Sequence, residues 1–287
     1  MNRDEVSLLD KTLVERGIPL YARPFHVIMH ILRRRGGGDL MDPALNDSVT
    51  AIYRGLYPSG NFAIPAMQIG GVGFRDQYYI ARVNVGFGRF AVKFLECIDI
   101  DRSELSELYR LHPNEVNRSA YCVADLWDFA YGALSVRGKN SEADKLWENA
   151  GSSIEAGARL LASGGPASDA AVQSACLAAE LGLKGALAQL GVPEARRRKL
   201  SHHLSALVDE LKTLVTLTST ARLRSAVAVF PDYAKTRYDE HGLSRVQLVE
   251  LMMRSQYIAA ESVRLISKRD AAQELEESGQ LPRRDFP

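Results

Sequence analysis

The chain has 287 residues, 46% of them hydrophobic and 25% charged, with a net charge of +1 at pH 7. That length favours two domains and the apolar content suffices for a packed core; the near-zero charge excludes binding to nucleic acid through a global basic field, so any such contact rests on a local patch. Cys97, Cys122 and Cys176 are scattered and odd in number, which implies no disulfide framework. No apolar run approaches the ~18 residues of a membrane span and MNRDEVSLLD is not a signal peptide, so the chain reads as cytoplasmic with no membrane partner.

In chain order, a helix is expected from Arg3 to Arg16, with Val6, Leu9 and Leu13 inward and Gly17 as its stop. Pro24 opens a second helix to about Arg34. Asp42-Pro43 opens a third, with Leu45, Val49, Ile52 and Leu56 inward. The period then changes to that of strands. Phe62 to Ile69, Gln77 to Val85 and Arg89 to Ile98 read as an antiparallel meander, separated by the glycine-rich turns GGVGF and GFG. Asp101 and Ser103 start a further helix to Arg110. Another begins at Asn114 and carries Val116, Tyr121, Leu126, Phe129 and Leu134. Residues 1–137 therefore form an α+β domain, with Arg137-Gly138-Lys139-Asn140 as linker.

The second half reads as all-helical. Ser141 and Asp144 give an S-x-x-D start before Leu146, Ile154, Leu160 and Leu161, and Gly164-Gly165-Pro166 closes that helix. Ala175, Ala178, Ala179, Leu183, Ala186, Leu187 and Leu190 recur at three- and four-residue steps, and Gly182 and Gly185 keep that face thin enough for close approach of another helix. Gly191 and Pro193 end it. Ser201 is placed to cap the next helix, with Leu204, Leu207, Val208, Leu211 and Leu214 as its stripe. A short helix from Thr220 to Val229 ends at Pro231. Ser244 and Gln247 make a capping box for a last helix carrying Val246, Val249, Leu251, Met253, Tyr257, Ala260, Val263 and Leu265. Residues 269–287 read as a flexible charged tail.

The alanine-rich AAELGLKGALAQLG, the following His203-Leu204 with Leu207 three residues on, and Arg237-Tyr238 before the last helix resemble the HEPN family of helical-bundle domains over residues 141–268. The resemblance implies an antiparallel bundle of four or five helices and a homodimer, with the thin Ala/Gly face available for helix contact. It also implies a link to RNA: many such proteins are metal-independent ribonucleases in toxin–antitoxin or defence systems, acting with an antitoxin-like protein partner. Others are non-catalytic scaffolds that bind a protein partner or nucleotide.

The family's nuclease motif is an Arg followed, after four to six residues, by a His. Arg197 to His202 and Arg198 to His203 fit it, and Arg196 fits either His. Arg237 to His241 has three intervening residues and departs from it. Metal-independent RNA cleavage needs a base for the 2′-OH proton and a cation for the phosphorane charge, supplied by histidine and guanidinium. The candidate catalytic residues are His203, Arg198, Arg197, His241 and Arg237, with His203 first. The same residues also read as a solvated basic turn with His203 capping or packing at a helix start. No acidic or His/Cys cluster points to a metal, and no cofactor is implied.

Other features have structural readings. Arg33-Arg34-Arg35 before Gly36-Gly37-Gly38 is a helix stop, cations offsetting the macrodipole and glycine taking the left-handed cap. His26 and His30 sit one turn apart without a third ligand. The glycine loops precede strands rather than helix starts, unlike phosphate loops. Tyr78, Tyr79, Phe87, Phe90 and Phe94 read as sheet packing rather than a base-stacking platform. A third functional reading takes the first three helices and a following hairpin as a DNA-reading winged helix, although the third helix lacks the needed basic residues.

Overall fold

A computed structural model describes residues 3–40, 42–86, 91–165, 168–215, 220–232 and 242–285. The chain divides into two compact units, Met1–Pro65 and Ala66–Pro287.

The first unit holds α1 (Arg3–Glu15), α2 (Arg23–Arg34) and α3 (Pro43–Leu56). Their apolar stripes meet in a core of Val6, Leu13, Val27, Ile28, Ile31, Leu45, Val49 and Tyr53, while Ile52 and Leu56 are only partly buried. Asp42 caps α3 by accepting from the Ala44 amide at 3.0 Å, and Pro43 at the first helical position has no amide to leave unpaired. Buried Asp10 is held by the Tyr57 hydroxyl and by Arg23 at 3.6 Å, and Arg23 also donates to the Ile18 carbonyl at 2.7 Å. Behind α2, Gly36 takes a φ of +77°, the expected glycine stop.

The second unit begins with a hairpin, β1 (Gln68–Phe74) and β2 (Gln77–Val83), paired antiparallel from Gln68↔Val83 to Phe74↔Gln77. The α+β class holds, but strand positions differ from the expected meander. GGVGF, expected as a turn, is the strand β1 itself. Gly70 and Gly73 leave room for helix α11 (Arg245–Ser267), on which the strand lies flush, and Gly71 leaves room for the Tyr78 ring. A β-carbon at Gly73 would stand 1.9 Å from Val249 Cγ1, and one at Gly70 would stand 2.1 Å from Gln256 Oε1. The Gln256 side chain in turn accepts from the Gly71 amide and donates to the Gly71 carbonyl, both at 2.7 Å, as a neighbouring strand would. Of the expected third strand, residues 89–90 lie outside the described residues, as do Phe87 and Phe90. Phe94–Cys97 is a short 3₁₀ turn, and Ile98 makes one bridge to Ala81. Tyr78 is buried, and Tyr79 and Phe94 pack against the core. The hairpin belongs to the second unit, so it is not the wing of a winged helix built on α1–α3.

After α4 (Arg102–Leu111) and α5 (Pro113–Val136) come α6 (Ser141–Ala162), α7 (Ser168–Gln189), α8 (Glu194–Leu200), α9 (Leu204–Leu214), α10 (Thr220–Ala228) and, behind α11, α12 (Ala271–Glu277). The expected boundary at Arg137–Asn140 falls inside this unit. α5 packs along α11, and its Val116, Val123, Leu126 and Phe129 share one core with the bundle. Asn140, not Ser141, caps α6 by accepting from the Glu142 and Ala143 amides; Asp144 instead accepts from Gly138 N at 2.8 Å. Ser244 and Gln247 form the expected capping box.

The thin face of α7 is consumed inside the protomer rather than left for a dimer. Gly182 lies against Ala259 of α11, and a β-carbon at Gly185 would stand 2.6 Å from Nε1 of Trp147, which donates to the Gly182 carbonyl at 3.2 Å. Leu214, expected on the buried stripe of α9, is exposed.

Of the segment expected as a tail, residues 271–277 form α12, which is tied to the bundle. Asp128 of α5 accepts from the Ala271 and Ala272 amides at 2.7 and 3.1 Å and so caps the start of α12. The same carboxylate binds Arg264 of α11, which also meets Asp125 at 2.6 Å and Asp270 at 3.2 Å. Burial alone would push Asp125 up, but the Arg284 and Arg264 guanidiniums outweigh it and hold the carboxyl below its ordinary range. At Asp128 burial prevails and the pKa rises.

The flush contact of β1 on α11 gives a direct test. Gly73→Ala is expected to lower unfolding stability by about 1–3 kcal/mol through overpacking, read by urea denaturation followed by circular dichroism. Adding Val249→Ala should recover part of that loss.

Candidate functional site

The sequence pointed to the corner where α7 gives way to α8 and α9. Gly191 turns the chain with φ +83°, and the Val192 amide donates to the Leu187 carbonyl at 2.9 Å. Pro193 precedes α8, which carries the basic run on seven residues. Ser201 does not cap α9. It sits at φ 54° and ψ −131°, a conformation strained for any residue with a β-carbon, and His203 takes the N-cap position without a side-chain bond.

Each arginine of the run has a carboxylate. Arg196 grips Glu210 of α9 through Nε at 3.0 Å and Nη2 at 2.7 Å. Arg197 is buried, donating to the Val192 carbonyl and to Glu142 of α6. It ties the corner to the bundle and is not presented to a ligand, contrary to its expected role. Arg198 is exposed and pairs with Glu194 one turn back at 2.6 Å. His203 is exposed at the mouth of the corner, its carbonyl accepting from the Leu207 amide at 3.1 Å. Arg237 and His241 lie outside the described residues.

His202, which fitted the Arg–His spacing but was not among the chosen catalytic candidates, is the histidine with a buried partner. Its Nδ1 lies 2.6 Å from Glu180 Oε2, and the other Glu180 oxygen accepts from Lys184 at 2.5 Å. The Glu180 side chain is 4% exposed, against 46% for His202. A buried carboxylate that fixes one nitrogen of a half-exposed imidazole is an arrangement suited to a base and its orienting partner. The sequence held a signal for this. Glu180 sits one turn from Cys176 and Leu183 on the apolar stripe of α7, where a carboxylate is tolerated only with partners.

Other chemistries find little support. Burial pushes the thiols of Cys122 and Cys176 up to about 12, which suppresses the thiolate needed for nucleophilic attack. Among the described residues, no group of three His, Cys, Asp or Glu side chains converges as metal ligands, His26 and His30 included. No helix of the described residues is long and apolar enough to cross a membrane.

The second unit is thus a bundle of helices with a buried polar corner, the class of small helical domain the sequence resembled. Residues 143–277 match the HEPN domain family, in line with the resemblance read from the sequence. No curated protein and no solved structure matches the chain.

Ser201→Gly should relieve the backbone strain and stabilise the protein by about 1 kcal/mol. The check is a rise in thermal midpoint; a fall would show that the Ser201 side chain, rather than its backbone, holds the corner.

Proposed function

We propose that this protein is a non-catalytic HEPN scaffold, a cytoplasmic homodimer that binds a protein partner or nucleotide. The observation that carries this reading is the neutralised basic run. Arg196, Arg197 and Arg198 hold Glu210, Glu142 and Glu194 respectively. A guanidinium already bonded to a carboxylate must give up that partner before it meets a phosphorane, and buried Arg197 would also have to break its bond to the Val192 carbonyl. Dimerisation accords with the habit of HEPN domains, although the seam uses a surface other than the α7 Ala/Gly face.

A metal-independent ribonuclease is the second reading, favoured by the Glu180–His202 pair. In it His202, rather than His203 or His241, takes the 2′-OH proton, and Arg198 or Arg237 meets the developing phosphorane charge. An antitoxin-like partner and a role in defence belong to this reading alone.

One experiment separates them. The purified chain is incubated with fluorescent single-stranded RNA, with chelator or with magnesium, and its mass is taken by light scattering. The scaffold reading expects intact RNA throughout and a particle of about twice the 31.7 kDa chain. Cleavage that survives chelator and disappears in His202→Ala would overturn it in favour of the ribonuclease.

A further inference from the structure

The segment following α12 enters the interior and places one side chain there. Arg284 is 7% exposed. Its Nη1 donates to Asp125 Oδ1 at 2.8 Å, and its Nη2 donates to Oδ2 of the same carboxylate, a forked pair. The guanidinium carbon lies 4.8 Å from the Tyr257 ring centre and 5.6 Å from that of Tyr121. Flanking groups hold the segment's backbone as a receptor holds a peptide. The Tyr121 hydroxyl donates to the Pro282 carbonyl at 2.8 Å, Arg222 donates to the Arg284 carbonyl at 3.2 Å, and the Arg284 amide lies 3.4 Å from Glu276 Oε1.

We propose that the cleft formed by Asp125, Tyr121 and Tyr257 is a guanidinium-binding site, occupied in cis by Arg284 and able to take in trans the arginine of an extended basic peptide. A carboxylate at the floor and aromatic rings at the sides are what an arginine requires and a lysine uses poorly, since ammonium offers no planar fork. A cavity of about 690 Å³, lined in part by Tyr257 and Arg284, adjoins the cleft and has room for further residues of such a peptide. Its walls carry Arg222, Arg264, Arg283 and Arg284 against Glu261, Asp270, Glu276 and Glu277, a balanced set. Withdrawing Arg283 and Arg284 leaves four carboxylates facing two arginines, so the vacated cleft is acidic and selects a basic occupant. The cis segment competes through its high effective concentration, which makes its release the controlling event. The site involves none of the α7–α9 residues, and so stands whether or not that corner is catalytic.

The test uses full-length chain carrying Arg284→Ala and a fluorescein-labelled peptide of residues 279–285, followed by anisotropy. The peptide should bind Arg284→Ala protein saturably. Binding should weaken about tenfold or more when the peptide carries Arg284→Lys, as expected for loss of a forked pair, and should vanish when the protein also carries Asp125→Asn. Wild-type protein, its cleft filled, should bind the peptide about tenfold or more weakly than Arg284→Ala does. In the same variant, methylguanidinium at millimolar concentration should raise the thermal midpoint and methylammonium should not. If Arg284→Ala does not fold, full-length Arg284→Lys serves in the same titrations. Equal binding of the arginine and lysine peptides, or no binding to a folded variant, overturns the proposal.

Discussion

Arg264 carries a charge into the middle of the second unit, and much of the surrounding architecture answers to it. The side chain is 6% exposed, and an unpaired guanidinium at such a place would cost several kcal/mol, a large share of a fold's net stability. Asp125 and Asp128, one helical turn apart on α5, meet it from one side, and Glu261 and Asp270 from the others. Asp128 also caps α12, and Asp125 also receives Arg284. One buried cation thereby fixes α5 against α11, starts α12 and brings in the segment behind it. Removing a single partner from such a network typically costs about 3–5 kcal/mol, because the remaining charge stays buried.

α11 imposes a second constraint. It is buried along most of its length, so its neighbours must approach on several sides. Where a helix lies alongside, small residues of α7 give the clearance: Gly182 accepts Ala259. Where the hairpin lies alongside, Gly70 and Gly73 remove the side chains of β1 on the contact, and Gln256 satisfies the backbone of Gly71 between them. The glycines weaken the strand's own propensity. Packing against α11 recovers it.

At the α7–α9 corner the same economy of charge governs function. The arginines there brace α6, α8 and α9 through carboxylates, while Glu180 turns His202 into the one oriented imidazole among the described residues of that corner. A basic run in sequence and a basic surface in space are different things: three cations within three positions became three separate ion pairs because a helix points successive side chains about 100° apart.

The sequence by itself determined what local rules govern. The helices α1–α7 and α9–α11 could be placed from apolar spacing, from the Asp42-Pro43 start and from the Ser244–Gln247 capping box, whereas α8 read as a basic turn; the HEPN resemblance rested mainly on residues of α7 and α9. His203, Arg197 and Arg198 were picked out by spacing alone, which does not reveal that Arg197 faces inward to Glu142. Only the tertiary structure decided that α5 and the hairpin join the HEPN core, that GGVGF is a strand rather than a turn, that the α7 glycine face is spent on Trp147 and Ala259, and that Arg284 is an anchor rather than part of a flexible tail. In each case the deciding contact joins groups distant in the chain, Asp125 to Arg284 or Gly71 to Gln256. Glycine and charge are the residues whose meaning depends most on such contacts: a missing side chain marks a turn until something is seen lying against it, and a charge marks the surface until its counter-charge is found inside.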